Sequence, residues 1–444
     1  FDSLIAAEEA QVSAVIQSDP DFAPFRSIPA PLLKFLICEK HHMYMVPGTR
    51  QMVDDAGEVI SGYAQNYGCH KDLYHPQNFQ PFTLKGFWIP ADQGDTFSIL
   101  DPTQQLPIFR DVAGKKEVLF LVHPKSETLF HPLMQAYAHK QIEVRALALS
   151  SFRTLLVAIP DGHEYQLMMI KVSLDETINK APRVISLKES AGSVAETCHL
   201  KSKAKNLVFM EDVYSFVPRS ELLDPKRTQG KAIRAGMLVR KIPEMLLDPH
   251  ARERVVPLYA LFGNKNRALL DLMIKNSKKT PTQFILEDIL QPYASLYVDL
   301  LFNQQISLEV HGQNLMLVLD AETAQPIKGR EFLYRDMGGV NSLLSSKELS
   351  RLPAHLRDPD FFYFATHVKD AATSMEDHFF HRTLFNLTKQ FVKSPDYAKR
   401  DPVFAHWKTQ MEQKSFLVNW TIIGKQDDLH KTQLKRHEYC YYGY

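Results

Sequence analysis

The stretch SFRTLLVAIPDGHEYQLMMIKVSL, residues 151–174, reads as two β-strands joined by a turn around Asp161 and Gly162. With Gly162 at the centre of the turn, Arg153 falls opposite Lys171. Like charges directly opposite one another on one face weaken a strand pair, so this register points to something anionic between them. Ser151 shares a face with Arg153, and Arg183 follows Lys171 by twelve residues. A serine, two arginines and a lysine are suitable polyphosphate donors: guanidinium groups bind oxygens in pairs and the ammonium supplies a point charge. A solvated hairpin face with its basic side chains splayed apart fits the same residues, because turn registers slip easily by one position. From this stretch alone both readings stand.

Working outward, residues 131–245 are richest in strand patterns, continuing with KNLVFMEDVY and GMLVRKIP. Residues 1–130 open with FDSLIAAEEAQVSAVI, an amphipathic helix. Proline- and glycine-punctuated aromatic segments such as HPQNFQPFTLKGFWIP follow, and VLFLVHP closes the region as a short buried strand. From 246 to 444 helices lead, beginning with VVPLYALF and a long apolar-periodic run, FILEDILQPYASLYVDLLF, in which Pro292 kinks or restarts a helix. LSRLPAHLRDP, SMEDHFFHRTLFNLTKQFVK and a terminal YCYYGY come later. There is no internal repeat and no low-complexity tract. The fold class expected is α+β.

One strand-like segment interrupts the helices: ISLEVHGQNLMLVLD, residues 306–320. Side chains alternate across a strand, so Glu309, His311 and Gln313 would project together from one face, with Leu308 and Val310 on the other. A carboxylate, an imidazole and an amide are costly to bury without partners. Either a protein network satisfies them or a ligand does.

Bulk properties narrow the classes. The 444 residues are 45% hydrophobic and 23% charged, an ordinary globular composition large enough for two or three sub-domains. Lys and Arg number 52 against 51 Asp and Glu, so the net charge of +1 recommends neither nucleic acid nor an anionic membrane as partner. Any anion site must be local. Cys38, Cys69, Cys198 and Cys440 are scattered without a C-x-x-C pair, which argues against a zinc site or disulfide framework and fits a reducing cytoplasmic setting. No run approaches the roughly twenty apolar residues a membrane span requires. The chain starts at Phe1, not Met, and its first helix does not read as a signal peptide, so further residues are expected before it. His378 and His381, beside Glu376 and Asp377, have a helical spacing that suits metal ligands, but no third ligand is evident and one polar corner of a helix explains them equally well. His41 and His42, being adjacent, point apart, and KNSKKTP is a basic turn of the solvated kind.

Taken in order, S-x-R-T (Ser151, Arg153, Thr154), the Lys171-to-Arg183 spacing, VRKIP with Arg240, EVHGQN and YRDMGG resemble the NRPS-independent siderophore synthetases related to the aerobactin synthetases. The resemblance covers roughly residues 120 to 420. It implies a cupped-hand fold of thumb (1–130), β-rich fingers with an antiparallel sheet (131–245) and helix-rich palm (246–444). It also implies an ATP- and Mg2+-dependent ligase that activates a carboxylate of citrate or a similar polycarboxylic acid as an acyl-adenylate. The acyl group then passes to an amine or hydroxyl co-substrate, with release of AMP and pyrophosphate. By position, His123, Ser151, Arg153, Thr154, Lys171, Arg240, Glu309, His311, Gln313 and Asp336 would contact ATP, with Glu309 and Asp336 holding the metal. Asn179, Arg183, His311 and Lys414 would hold the acid, and His311, Arg183 and Lys171 would be the catalytic group. A homodimer is compatible with the family.

The chemistry is consistent with this assignment. Adenylation brings a carboxylate against the α-phosphate, so arginines, a lysine and magnesium are the expected means of neutralising two anions. The nucleotide side is better preserved than the acid side. In HPQNFQPFTLKGFW the family's second histidine and its arginine are missing. LVHPKS departs from His-Pro-Trp-Gln, Asn179 replaces a threonine, and the arginine expected after Lys414 is replaced near Trp420. Two alternatives follow: a diverged, non-catalytic nucleotide- or polycarboxylate-binding member, or a kinase-like ligase that forms ADP.

Overall fold

The computed structural model describes residues 1–42, 74, 78–101, 104, 106–149, 151–175, 177–178, 181–203, 207–226, 234–261, 267–310, 312–342 and 346–361. The main sheet opens with β1 (Phe82–Pro90), β2 (Gly94–Ser98), β3 (Phe109–Val112), β4 (Lys115–Val122), β5 (Gln141–Ala148), β6 (Thr154–Asp161) and β7 (Glu164–Val172). A short pair follows, β8 (Thr177–Ile178) and β9 (Ala181–Pro182), then β10 (Val208–Phe209). The main sheet is completed by β11 (Asp212–Pro218) and β12 (Met237–Arg240). Its nine strands lie in the order β2-β11-β12-β7-β6-β5-β1-β4-β3, every neighbouring pair antiparallel. It draws strands from both sides of residue 130.

The 151–174 hairpin is at the middle of this sheet, but its register differs by one residue from expectation. Asp161 pairs with Glu164, leaving Gly162 and His163 as a two-residue turn, and Lys171 lies opposite Thr154 instead of Arg153. Gly162 has φ 61°, a left-handed conformation open to glycine, and a turn with glycine first matches the twist of the flanking strands. The turn is centred between residues 162 and 163, and every partner moves by one.

The sheet curls. Phe109 of edge strand β3 meets Tyr214 of β11 edge-on at 4.8 Å, which brings the two sheet margins together. The enclosed face carries Leu155, Val157, Ile159, Ile170 and Val172 with Phe87, Phe120 and Phe216. Each such burial contributes about 1.5–3 kcal/mol relative to exposure. Leu156, Ala158 and Met169 point the other way, into a core shared with α1 (Asp2–Ser18), α2 (Ala30–His42) and a second sheet.

That second sheet contains β10, β13 (Glu253–Pro257), β15 (Leu315–Asp320) and β16 (Phe332–Tyr334), in the order β10-β16-β15-β13. Met316, Val318 and Leu333 face the main sheet, and Leu315, Leu317, Leu319 and Tyr334 face a helical layer. Burial on both faces explains why LMLVL reads as an unbroken apolar run. β14 (Ile306–Ser307) pairs separately with β17 (Asn341–Ser342).

Two long helical features pack on these sheets. α3 (Leu187–Lys203) starts from Ser186, whose Oγ accepts the Glu189 amide at 3.1 Å, and it carries Lys201 and Lys203 in its last turn, where the helix dipole favours cations. α4 (Arg267–Ser277) leads into a continuous helical run from 281 to 303. The run continues through Pro292 without a break: a π-helical turn, Ile285–Leu290, precedes it and accommodates the missing amide. VVPLYALF is not a helix; β13 occupies its first half and a 3-10 turn, Leu258–Leu261, its second. Among the described residues no helix is long and apolar enough to cross a membrane.

Candidate functional site

Lys171 near the end of β7 and Arg240 at the end of β12 project from one face of adjacent strands, because Arg240 pairs with Met169, two residues from Lys171. Their side chains are 4% and 3% exposed, so each charge needs a partner. Lys171 Nζ donates to Asp336 Oδ1 at 2.8 Å and lies 3.0 Å from Glu189 Oε1. Arg240 donates to both Asp212 oxygens, at 2.8 and 3.2 Å, and its Nη2 is 3.7 Å from Asp336 Oδ1. Arg153, in the turn before β6, donates to Glu189 Oε1 at 3.1 Å and to the Arg183 carbonyl at 3.1 Å. The anion expected between Arg153 and Lys171 is therefore a protein carboxylate, Glu189.

Ser151 and Thr154 form that turn: Thr154 donates its amide to the Ser151 carbonyl at 2.7 Å, and their hydroxyls are 3.4 Å apart. Arg183 closes it from the far side, its carbonyl accepting the Leu174 amide as well. His123 lies at the end of β4, buried against Tyr74 and Phe82 at ring distances of 5.0 and 5.4 Å. Its Nδ1 accepts the Lys125 amide at 3.1 Å, which leaves the proton of the neutral ring on Nε2. Ser126, in the same turn, donates to the Ser173 carbonyl and accepts the Asp175 amide, fastening the His123 turn to the exit of β7.

Glu309 and Gln313 do not lie on a strand. After Ser307 the chain leaves its ladder: Glu309 gives its amide to the Tyr334 hydroxyl at 3.3 Å, and the Val310 amide folds back to the Leu308 carbonyl at 3.1 Å. Residues 312–314 are turn, and strand structure resumes only at Leu315. A tight turn within the segment removes the two-residue alternation on which a common face depended. Asn314 donates to the Glu309 carbonyl, and the Gln313 carbonyl accepts from Arg335, which in turn is paired with buried Glu39 at 2.8 Å. His311, Asn179 and Lys414 lie outside the described residues, as do His378 and His381.

Asp336 follows β16 with φ 78° and ψ 73°, a left-handed backbone that costs a non-glycine residue about 1–3 kcal/mol. Tyr334 helps to hold it by donating its hydroxyl to the Asp336 carbonyl at 3.1 Å. Burial alone would raise the Asp336 carboxyl, but Lys171 and then Arg240 hold it well below the usual carboxylate range. Glu189 shows the same contest: burial raises it, and Arg153 and Lys171 bring it below its ordinary value. Burial pushes the Tyr334 phenol well up, with the charges of Glu309 and Asp336 adding to the effect, so it remains a donor. Two glycines make room for the carboxylates. A Cβ at Gly339 would meet Glu309 Oε2 at 2.6 Å, and one at Gly338 would meet Glu189 Cγ at 3.4 Å.

Sequence reasoning missed Glu189, Asp212, Arg335 and Glu39. Ser186-x-x-Glu189 is a capping-box pattern that places Glu189 on the first turn of a helix, but no local signal reveals the cations it meets. Further along α3, Glu196 is buried, with Oε2 accepting from Ser342 at 2.6 Å and Oε1 without a hydrogen-bond partner among the described residues. Burial raises its carboxyl to about 8, which the Ser342 hydrogen bond only partly offsets.

Among the described residues no group of three or more His, Cys, Asp or Glu side chains is disposed to hold a metal. Magnesium asks less of a protein, usually one or two carboxylates with the remaining positions filled by phosphate and water. Glu309 and Asp336, hard oxygen donors approaching the same Met337–Gly339 turn, fit that requirement in donor chemistry.

A family model described as ferric iron reductase FhuF-like transporter matches residues 286–399, well under half of the chain. No curated protein sequence matches. Among solved structures, aerobactin synthetase IucC from a hypervirulent pathotype of Klebsiella pneumoniae aligns with a TM-score of 0.53 at 16% identity, over 94% of this chain and 81% of that one. The petrobactin biosynthesis protein AsbB from Bacillus anthracis str. Sterne aligns with a TM-score of 0.54 at 15% identity, over 89% and 75%. ATP-bound aerobactin synthetase IucA from the same Klebsiella pathotype gives 0.53 at 15%, over 86% and 68%. The chain thus has the mixed helix-and-strand fold, with a curled antiparallel sheet, of the siderophore synthetases that its motifs resemble.

Proposed function

We propose that this chain is an ATP- and magnesium-dependent siderophore synthetase. In this reading it activates a carboxylate of citrate or a similar polycarboxylic acid as an acyl-adenylate, then condenses it with an amine or hydroxyl, releasing AMP and pyrophosphate. The observation that carries the reading is the meeting of Lys171 with Asp336, 165 residues away, in a buried cluster with Arg153 and Arg240. Buried cations drawn from separate elements and held at the surface end of a sheet are the means by which a protein neutralises a polyphosphate.

Arg153, Lys171 and Arg240 would neutralise the phosphates, and the hydroxyls of Ser151 and Thr154 would donate to them. Glu309 and Asp336 would hold magnesium, which would offset the negative charge that develops on the leaving pyrophosphate. Arg183 would orient the acid, with His311, Asn179 and Lys414 assigned the same task from the sequence. His123 would fix the turn through which the β4 end meets the nucleotide.

The test is to incubate the protein with ATP, magnesium and a panel of polycarboxylic acids, trap acyl groups with hydroxylamine, and assay pyrophosphate and hydroxamate. Acid-dependent formation of both, reduced about a hundredfold or more in Arg153→Ala, is the expected outcome; losing the charge-assisted contacts of one arginine that act on the transition state has effects of this order. ADP without AMP would replace the adenylate with an acyl phosphate. Tight ATP binding without turnover on any acid would favour the non-catalytic binder. A thiolate-bound redox iron is a poorer reading of the matched 286–399 segment, which contains no cysteine.

A further inference from the structure

Glu189 sits where an incoming oxyanion would have to sit. Its Oε1 is 3.1 Å from Arg153 Nη2 and 3.0 Å from Lys171 Nζ, so one oxygen occupies the space between the two cations. The cluster is also electrically balanced as it stands. Arg153, Lys171 and Arg240 carry three positive charges, and Glu189, Asp336 and Asp212 carry three negative ones. A balanced cluster exerts little net pull on a polyanion, so one carboxylate must give way if such a ligand is to bind.

The three carboxylates are not equally free to move. Asp212 is fully buried and holds Arg240 through both oxygens. Asp336 has a short side chain on a fixed left-handed backbone. Glu189 is less exposed than Asp336, 16% against 31%, but it has the longer side chain, with more rotatable bonds between its carboxylate and the backbone, and it lies against the bare Cα of Gly338. It also has a second seat. In a capping box the glutamate at the third helical position turns back to the amide of the capping serine, and Ser186 and Glu189 already make the first half of that motif. In this structure the Glu189 carboxylate is turned to Arg153 and Lys171 instead.

We infer that, granted the nucleotide reading above, Glu189 is a built-in occupant of a polyphosphate subsite: it keeps Arg153 and Lys171 paired in the empty protein and swings toward Ser186 when a polyphosphate takes its place. It is a self-inhibitory contact, and it sets the affinity of the site by competing for the same two cations.

Titration of inorganic tripolyphosphate, ATP and citrate into wild type, Glu189→Gln, Glu189→Asp and Arg153→Ala, followed by calorimetry, tests this. Removing the competing charge should tighten tripolyphosphate and ATP binding roughly tenfold in Glu189→Gln, the scale of one charge-assisted hydrogen bond. Glu189→Asp, too short to span both cations, should fall between, and Arg153→Ala should weaken binding. Thermal melting separates misfolding from mechanism: empty Glu189→Gln should melt below wild type, and tripolyphosphate should raise its melting point by more. Wild-type ATP binding with no tightening in Glu189→Gln would overturn the inference and leave the nucleotide reading intact. Tightening for tripolyphosphate without any ATP binding would support the subsite and overturn that reading. Tightening for citrate alone would overturn the polyphosphate assignment, and absence of all binding in every form would overturn both.

Discussion

Asp212 and Glu196 are both buried carboxylates, and among the described residues only Asp212 of the two meets a cation. Asp212 holds Arg240 through two hydrogen bonds, with the arginine 3% and the aspartate 0% exposed. Asp212→Ala leaves a buried guanidinium without its main partner, so unfolding free energy should fall by about 3–5 kcal/mol in urea titrations. A fall below 1 kcal/mol would mean that Asp336 or water takes over. Among the described residues Glu196 meets only the Ser342 hydroxyl, and burial raises its carboxyl from 4.5 to about 8. The folded state then binds the proton more tightly than the unfolded chain. Its contribution to stability is full below pH 4.5 and is lost as pH rises through about 8. Glu196→Gln should flatten the stability profile across that window and be the more stable form at its alkaline end. Parallel profiles for the two proteins would show that Glu196 ionises normally.

At the scale of elements, the central hairpin depends on one residue. Gly162 has φ 61°, which costs an L-residue about 1–2 kcal/mol, and no atom lies close enough to its Cβ position to compensate. Gly162→Ala should therefore lower stability by about that amount, seen as a drop in Tm, with the Lys171–Arg240–Asp336 cluster unaffected. The same hairpin marks how far the sequence could be read. Its two strands, the turn, α1, β12 and the helical run around Pro292 are all legible, because each follows from local periodicity or from the chemistry of one residue. The one-residue register shift is not legible, since Asp-Gly marks a turn without fixing its centre. Nor is the break after Ser307, where the Tyr334 hydroxyl takes the Glu309 amide from a residue 25 positions away. Motif order groups Arg153, Lys171, Arg240 and Asp336, which the structure brings together, but it does not include Glu189, whose partners lie in other elements.

For the whole molecule, the two sheets are not separate bodies with a cleft between them. Leu156 and Met169 of the main sheet share one core with Met316, Val318 and Leu333 of the second. The site lies at the polar end of this shared core, where apolar contacts give way to Lys171, Arg240 and Asp336. The Lys171–Asp336 pair also constrains the order in which the chain is completed. During synthesis the main sheet has all nine strands once residue 240 has emerged, yet Lys171 has no Asp336 to meet for almost a hundred residues more. Until then a lysine bound for a 4% exposed position has only Glu189 of its two counter-ions, and its end of the hairpin stays open to water where Asp336 will lie. The growing chain therefore carries a finished hairpin with a hydrated end, and the last stage of packing waits for the segment around Asp336 to arrive.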